Sequence, residues 1–151
     1  ACDSRFALVV SNNSGCGGAS FNRRNFGETL AFLSNVRTHW FCPNCRVRSF
    51  DAAAMPVDQH ELLALIAPRP VLVCSAEKDV GADPKGEFLS VLYSSPVFRL
   101  LGEEGVSLCE FPPVNTAVLT NPGYVLRHGG RNIFPVDWEW HLDFADRHLG
   151  R

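Results

Sequence analysis

The sequence predicts an α/β fold, a mostly parallel sheet flanked by helices, and three observations predict it. Two continuous apolar runs, Phe6-Ala7-Leu8-Val9-Val10 and Pro70-Val71-Leu72-Val73-Cys74, read as strands buried on both faces. Stretches with helix start and stop signals separate them, and strands alternating with helices pair in parallel. A loop rich in Gly and Asn, Ser11 to Gly18, follows the first run, at the strand end where open α/β sheets place their sites.

The elements follow in order. A helix is expected over Phe26 to Leu33. Another begins at Asp58, where Asp58 and Glu61 have the spacing of a capping box ahead of Leu62-Leu63-Ala64-Leu65-Ile66, and Pro68 ends it. Asp83 and Pro84 read as N-cap and first-turn proline of a third helix, which carries Phe88, Leu89, Val91 and Leu92 to the core. Gly105 to Phe111 and Tyr124 to Leu126 are shorter strand candidates, and Gly129-Gly130 makes a turn. Asp137 to Leu149 closes the chain as an amphipathic helix whose inward face is expected to carry Trp138, Leu142, Ala145 and Leu149. Core packing is also the expectation for Trp140.

With 151 residues, 46% of them hydrophobic and 20% charged, the chain can build one core, yet it is short for a complete α/β enzyme. A formal net charge of -2 gives no basic face for a nucleic-acid partner. No apolar run approaches the roughly 20 residues that cross a bilayer, so no membrane partner is expected. Ala1 to Arg5 lacks the pattern of a signal peptide, and a core strand follows almost at once. Residues 1–151 are therefore expected to be a partial domain whose upstream part is missing. Its sheet should then be unsatisfied at one edge, with aggregation or marginal stability as the consequence.

Six cysteines leave the redox compartment open. The one close pair, Cys42-Pro43-Asn44-Cys45, lacks the second pair or histidine set of a zinc site, and unremarkable or mutually bonded thiols are expected there. Cys74 lies within a strand and reads as a buried thiol.

Asp79, just past the strand Pro70 to Cys74, stands where a Ser-Asp-His hydrolase carries its acid, the group that fixes the tautomer of the catalytic imidazole. Of His39, His60, His128, His141 and His148, only His128 lies on a turn after a strand and before the last helix. Position alone thus proposes Asp79 and His128 as a catalytic pair. The same residues also read structurally, Asp79 as a turn former and His128 as a solvated surface side chain.

Ser11-Asn12-Asn13-Ser14-Gly15-Cys16-Gly17-Gly18-Ala19, Arg24-Asn25-Phe26-Gly27-Glu28 and His39-Trp40-Phe41 resemble the bacterial glucuronoyl esterases, carbohydrate esterase family 15. So do Pro56-Val57-Asp58-Gln59-His60, Ile66-Ala67-Pro68-Arg69-Pro70, Ala82-Asp83-Pro84 through Gly86-Glu87-Phe88, and Asp143 through Leu149. The likeness runs nearly the whole length in order. It implies the C-terminal portion of an α/β-hydrolase fold that lacks the N-terminal strands and the nucleophile elbow. It further implies a secreted or periplasmic serine-type esterase with no cofactor and no metal. The implied partner is a glucuronoxylan or lignin-carbohydrate ester, cleaved between glucuronic acid and a lignin alcohol.

By the same resemblance Glu28 contacts the sugar, although a helix-side surface pair is the plain alternative, and Trp40 lines a pocket wall or the core. Three positions depart from the family. Asn13 stands where an acid can lie, Gly81 where a stacking Trp is usual, and Arg131 where alignment puts the catalytic His. An Arg stays protonated and cannot serve as a general base near neutral pH. Three functions follow as expectations: a glucuronoyl esterase whose activity needs more than this chain, a glucuronoxylan-binding pseudo-esterase without catalysis, and an esterase for acetylated xylan.

Overall fold

The structure, a computed structural model, describes residues 1–150, so Arg151 of the expected domain lies outside the described residues. Four strands form one sheet: β1 (Val9–Asn12), β2 (Val71–Ala76), β3 (Thr116–Val118) and β4 (Gly123–Arg127), in the spatial order β1-β2-β4-β3. β1 to β2 and β2 to β4 are parallel, and the short edge strand β3 is antiparallel to β4. The expected α/β class with a mostly parallel sheet is what forms.

Helices cover both faces of the sheet. α3 (Gln59–Ala64) and α4 (Pro84–Leu100) pack on one side, and α5 (Pro135–Leu149) packs on the other. Along β2 the side chains alternate: Val71 and Val73 join Phe88, Val91, Phe98 and Tyr124 under α4, whereas Leu72 and Cys74 meet Phe144 of α5. Period-two alternation between two covered faces explains why the whole strand is apolar. Two short helices, α1 (Leu30–Val36) and α2 (Pro43–Arg48), form a satellite cluster in which Leu30 and Leu33 bury against Cys16.

Asp58 caps α3 as its spacing predicts, its carboxylate accepting from Gln59 N at 2.8 Å while Glu61 Oε2 accepts from Asp58 N at 2.9 Å. The same carboxylate accepts the backbone N–H groups of Asn22 and Arg23, so one buried side chain closes a helix and anchors the loop from residue 22. Asp58→Ala is expected to lower unfolding stability by about 2 kcal/mol, measured by urea titration, because several buried donors lose their acceptor.

Four expectations are corrected. The first strand starts three residues later and ends two residues later than the expected Phe6 to Val10; Phe6 is 62% exposed and β1 is only half-buried, because it flanks the sheet instead of lying between two strands. The helix expected from Phe26 starts at Leu30, where Thr29 supplies the N-cap by accepting from Phe32 N. Gly105 to Phe111 forms no strand, and the antiparallel strand is Thr116–Val118. Finally, α5 turns a different face inward. Trp138, Leu142 and Leu149 are 57%, 60% and 50% exposed, while Asp137 and Phe144 are buried and Trp140 packs on the sheet. Asp137, His141, Phe144 and His148 share the helical spacing of the expected stripe, one residue earlier. A buried ion pair described below selects that register.

Among the described residues all six cysteines are unpaired. Burial pushes the Cys16 thiol up to about 12 and the Cys74 thiol higher still, so both stay protonated. No helix is long and apolar enough to cross a membrane among the described residues.

Candidate active site

Because β1, β2 and β4 run parallel, their C-terminal ends share one edge of the sheet, and three loops meet there. Asn13 N donates to Cys74 O at 2.8 Å, Glu77 N to Arg127 O at 3.0 Å, and Lys78 N to Gly129 O at 3.0 Å. These bonds extend the sheet register into residues 13–18, 77–83 and 128–134.

Asp79 and Glu28 meet across these loops although 51 positions separate them in the chain. Gly27, at φ +68°, lies so close to Gly81 that a Cβ would come 2.5 Å from the Gly81 carbonyl oxygen. Only glycine fits there. This approach lets Glu28 N donate to Gly81 O at 2.9 Å, which sets Glu28 beside Asp79. A Cβ at Gly81 would stand at ordinary contact distance from both the Glu28 side chain and the Asp79 carboxylate, so this position borders both acidic groups.

Arg131 fills the centre of this cluster. Its Nε donates to Asp79 Oδ2 at 2.8 Å, and a terminal nitrogen lies 3.8 Å from Glu28. The hydrogen bond to Asp79, with Glu28 and Glu87 close by, raises the guanidinium pKa above its ordinary value. The group is a fixed cation. Asn12 and Asn13 both point side-chain nitrogens at Asn132 O, at 3.4 and 3.5 Å.

His128 does not join Asp79, which takes Arg131 as its partner. His128 Nδ1 instead lies 2.7 Å from Glu77 Oε1, with the ring 64% exposed and the carboxylate more enclosed. The structure therefore brings together Asp79 and Glu28 of the expected set and places His128 against Glu77, two residues before Asp79 in the chain. Trp40 lines a cavity of about 260 Å³ with Ser14, Cys16, Gly17, Gly18 and Phe41, as a pocket wall.

Two buried carboxylates escape a reading of the sequence. Arg127, the last residue of β4, sends Nε to both oxygens of Asp137 at 3.0 Å, and its terminal nitrogens donate to His128 O at 3.0 Å and Asn132 O at 2.6 Å. Asp137 also accepts Phe134 N at 2.7 Å. This fully buried pair ties both ends of the 128–134 loop to α5. Glu87, in the first turn of α4, accepts from Gly15 N at 2.9 Å, Ser14 Oγ at 3.1 Å and Ser75 Oγ at 2.5 Å. Burial pushes its pKa up to about 7, against the lowering effect of those donors. The sequence hint for Glu87 was slight: a first-turn glutamate normally reads as a helix-dipole partner in solvent.

A family model described as fungal glucuronyl esterase matches residues 1–102. The chain is 44% identical over 149 residues to Carbohydrate esterase MZ0003 from an unknown prokaryotic organism, covering 99% of this chain and 34% of that protein. A solved structure of a promiscuous CE15 esterase from a marine bacterial metagenome superposes at TM-score 0.95 with 44% identity, over 97% of this chain and 37% of that one. The glucuronoyl esterase from Solibacter usitatus superposes at TM-score 0.91 with 40% identity, over 98% of this chain and 38% of that one. The chain thus spans about a third of the length of the relatives it matches. Across that span the fold is the α/β-hydrolase portion found in these esterases, with the 77–83 and 128–134 loops on the same sheet edge, and the chain belongs to the glucuronoyl esterase family.

Proposed function

We propose that the whole protein hydrolyses carboxylic esters of the glucuronoyl type, those joining glucuronic acid on xylan to lignin alcohols, in a secreted or periplasmic setting. The observation that carries this reading is the meeting of Asp79 and Glu28 on the strand-end edge of a fold shared with CE15 esterases. Residues 1–151 are proposed to supply one wall of the site as part of a larger hydrolase domain.

In this reading the nucleophilic hydroxyl comes from the portion of the protein that this chain does not span. Glu28 accepts a sugar hydroxyl. The Asp79–Arg131 pair holds the loop edge, and the fixed charge of Arg131 rules it out as the base. His128 is left to take the hydroxyl proton on Nε2 as the oxygen bonds to the ester carbonyl, and to return it to the departing alcohol. Water then hydrolyses the acyl-enzyme through the same nitrogen.

The test is hydrolysis of benzyl glucuronate by the whole protein, set against an acetylated xylo-oligosaccharide. Turnover of the glucuronate ester is expected, with kcat falling at least about 100-fold in His128→Ala. Binding of glucuronoxylan oligosaccharides without turnover would overturn the esterase reading. Preference for the acetyl ester would overturn the substrate class.

A further inference from the structure

We propose that Glu77, rather than Asp79, is the carboxylate that positions His128. This rests on the esterase reading above. A catalytic imidazole needs a carboxylate on Nδ1, which holds the proton there, leaves the Nε2 lone pair free and offsets the positive charge that forms on the ring. Asp79 does not fill that role here, since it accepts from Arg131 Nε at 2.8 Å while His128 Nδ1 lies against Glu77.

Glu77 meets the requirement by geometry. The β2–β4 register pairs Ala76 with Arg127, so the next residues, Glu77 and His128, leave the sheet side by side. His128 Nδ1 and Glu77 Oε1 lie 2.7 Å apart, the separation of a charge-assisted bond. Nε2 carries no protein partner among the described residues.

An ordinary surface ion pair joins two mobile side chains and contributes little. This pair differs because the backbone on both sides is fixed. Glu77 N donates to Arg127 O at 3.0 Å, and Lys78 N to Gly129 O at 3.0 Å. His128 N donates to Asn115 Oδ1 at 3.0 Å, and His128 O accepts from the buried Arg127 guanidinium at 3.0 Å. Three of these four hydrogen bonds are made by Glu77 or His128 and the fourth by their next neighbours, and together they hold the pair in register. Glu77 also lines a cavity of about 380 Å³ together with Arg24, Phe26, Lys85, Phe111 and Pro113.

Glu77 is thus a positioning residue acting through His128. The experiment compares wild-type whole protein with Glu77→Gln, Glu77→Ala and Glu77→Asp on benzyl glucuronate, and reads the His128 ring by ¹⁵N NMR. Glu77→Ala should lower kcat about 100-fold with KM within roughly twofold, and Glu77→Asp should recover to within about tenfold of wild type. Glu77→Gln, equal in size, separates the loss of charge from any loss of fold. In wild type the Nδ1-protonated tautomer should dominate, and Glu77→Ala should remove that preference. Turnover that survives Glu77→Ala with unchanged kcat overturns this proposal while leaving the esterase reading intact. A wild-type protein with no turnover of the glucuronate ester overturns both.

Discussion

Asp137→Ala is expected to destabilise the protein by about 3–5 kcal/mol, read as a fall in the urea midpoint at unchanged m-value. Asp137 and Arg127 are almost wholly buried, and the carboxylate is the only anion bonded to that guanidinium among the described residues. Removing it leaves an uncompensated cation in the interior, which costs far more than the pair contributes in the intact protein. The Phe134 N–H loses its acceptor in the same step. Replacing both partners together, with Arg127→Met and Asp137→Leu, should recover much of the stability because no buried charge then remains. The double variant should still lose catalysis, since the His128 and Asn132 carbonyls would have lost the guanidinium that fixes the loop. A double variant as unstable as Asp137→Ala would show that packing, not the unpaired charge, sets the cost.

The second large effect is on the pH dependence of stability. Glu87 has its pKa raised in the fold to about 7 from an ordinary 4.5. The folded state therefore holds the proton more tightly than the unfolded chain. Its contribution is complete below about pH 4.5 and is lost as pH rises through about 7. Across that window the loss amounts to about 3 kcal/mol, at 1.36 kcal/mol per pKa unit. Stability of the wild-type protein should fall between those limits, and Glu87→Gln should flatten the slope, with its largest gain above pH 7. Denaturant titrations at pH 4.5, 6 and 7.5 check this. An unchanged slope in Glu87→Gln would assign the dependence to other groups.

Both effects come from residues that sequence reasoning passed over. Asp58 with Glu61, and Asp83 with Pro84, were legible because a helix cap is settled within four residues of chain. β2 was legible because burial on both faces makes a strand uniformly apolar, whereas β3, three residues long, carries too little pattern. Asp79 was legible by its place after β2, and Glu28 through resemblance. Glu77 and Glu87 were not. Each carboxylate gains its partner from a segment it meets only through the sheet, His128 for one and the Ser14–Gly15 loop for the other.

α5 shows the division most plainly. Its sequence offers two stripes of equal helical spacing one residue apart, and the more apolar one, with Trp138, Leu142 and Leu149, lies outside. The ion pair to Arg127 sets the other stripe against the sheet, because a buried guanidinium without its carboxylate would cost more than the exposed apolar side chains lose. By itself the sequence determined the α/β class, the caps of α3 and α4, the buried central strand and the family. The tertiary structure alone decided which charge meets which: Asp79 with Arg131, His128 with Glu77, Arg127 with Asp137. Propensity and capping act over a few neighbouring residues, while the pairing of charges depends on a sheet register that joins segments far apart in the chain.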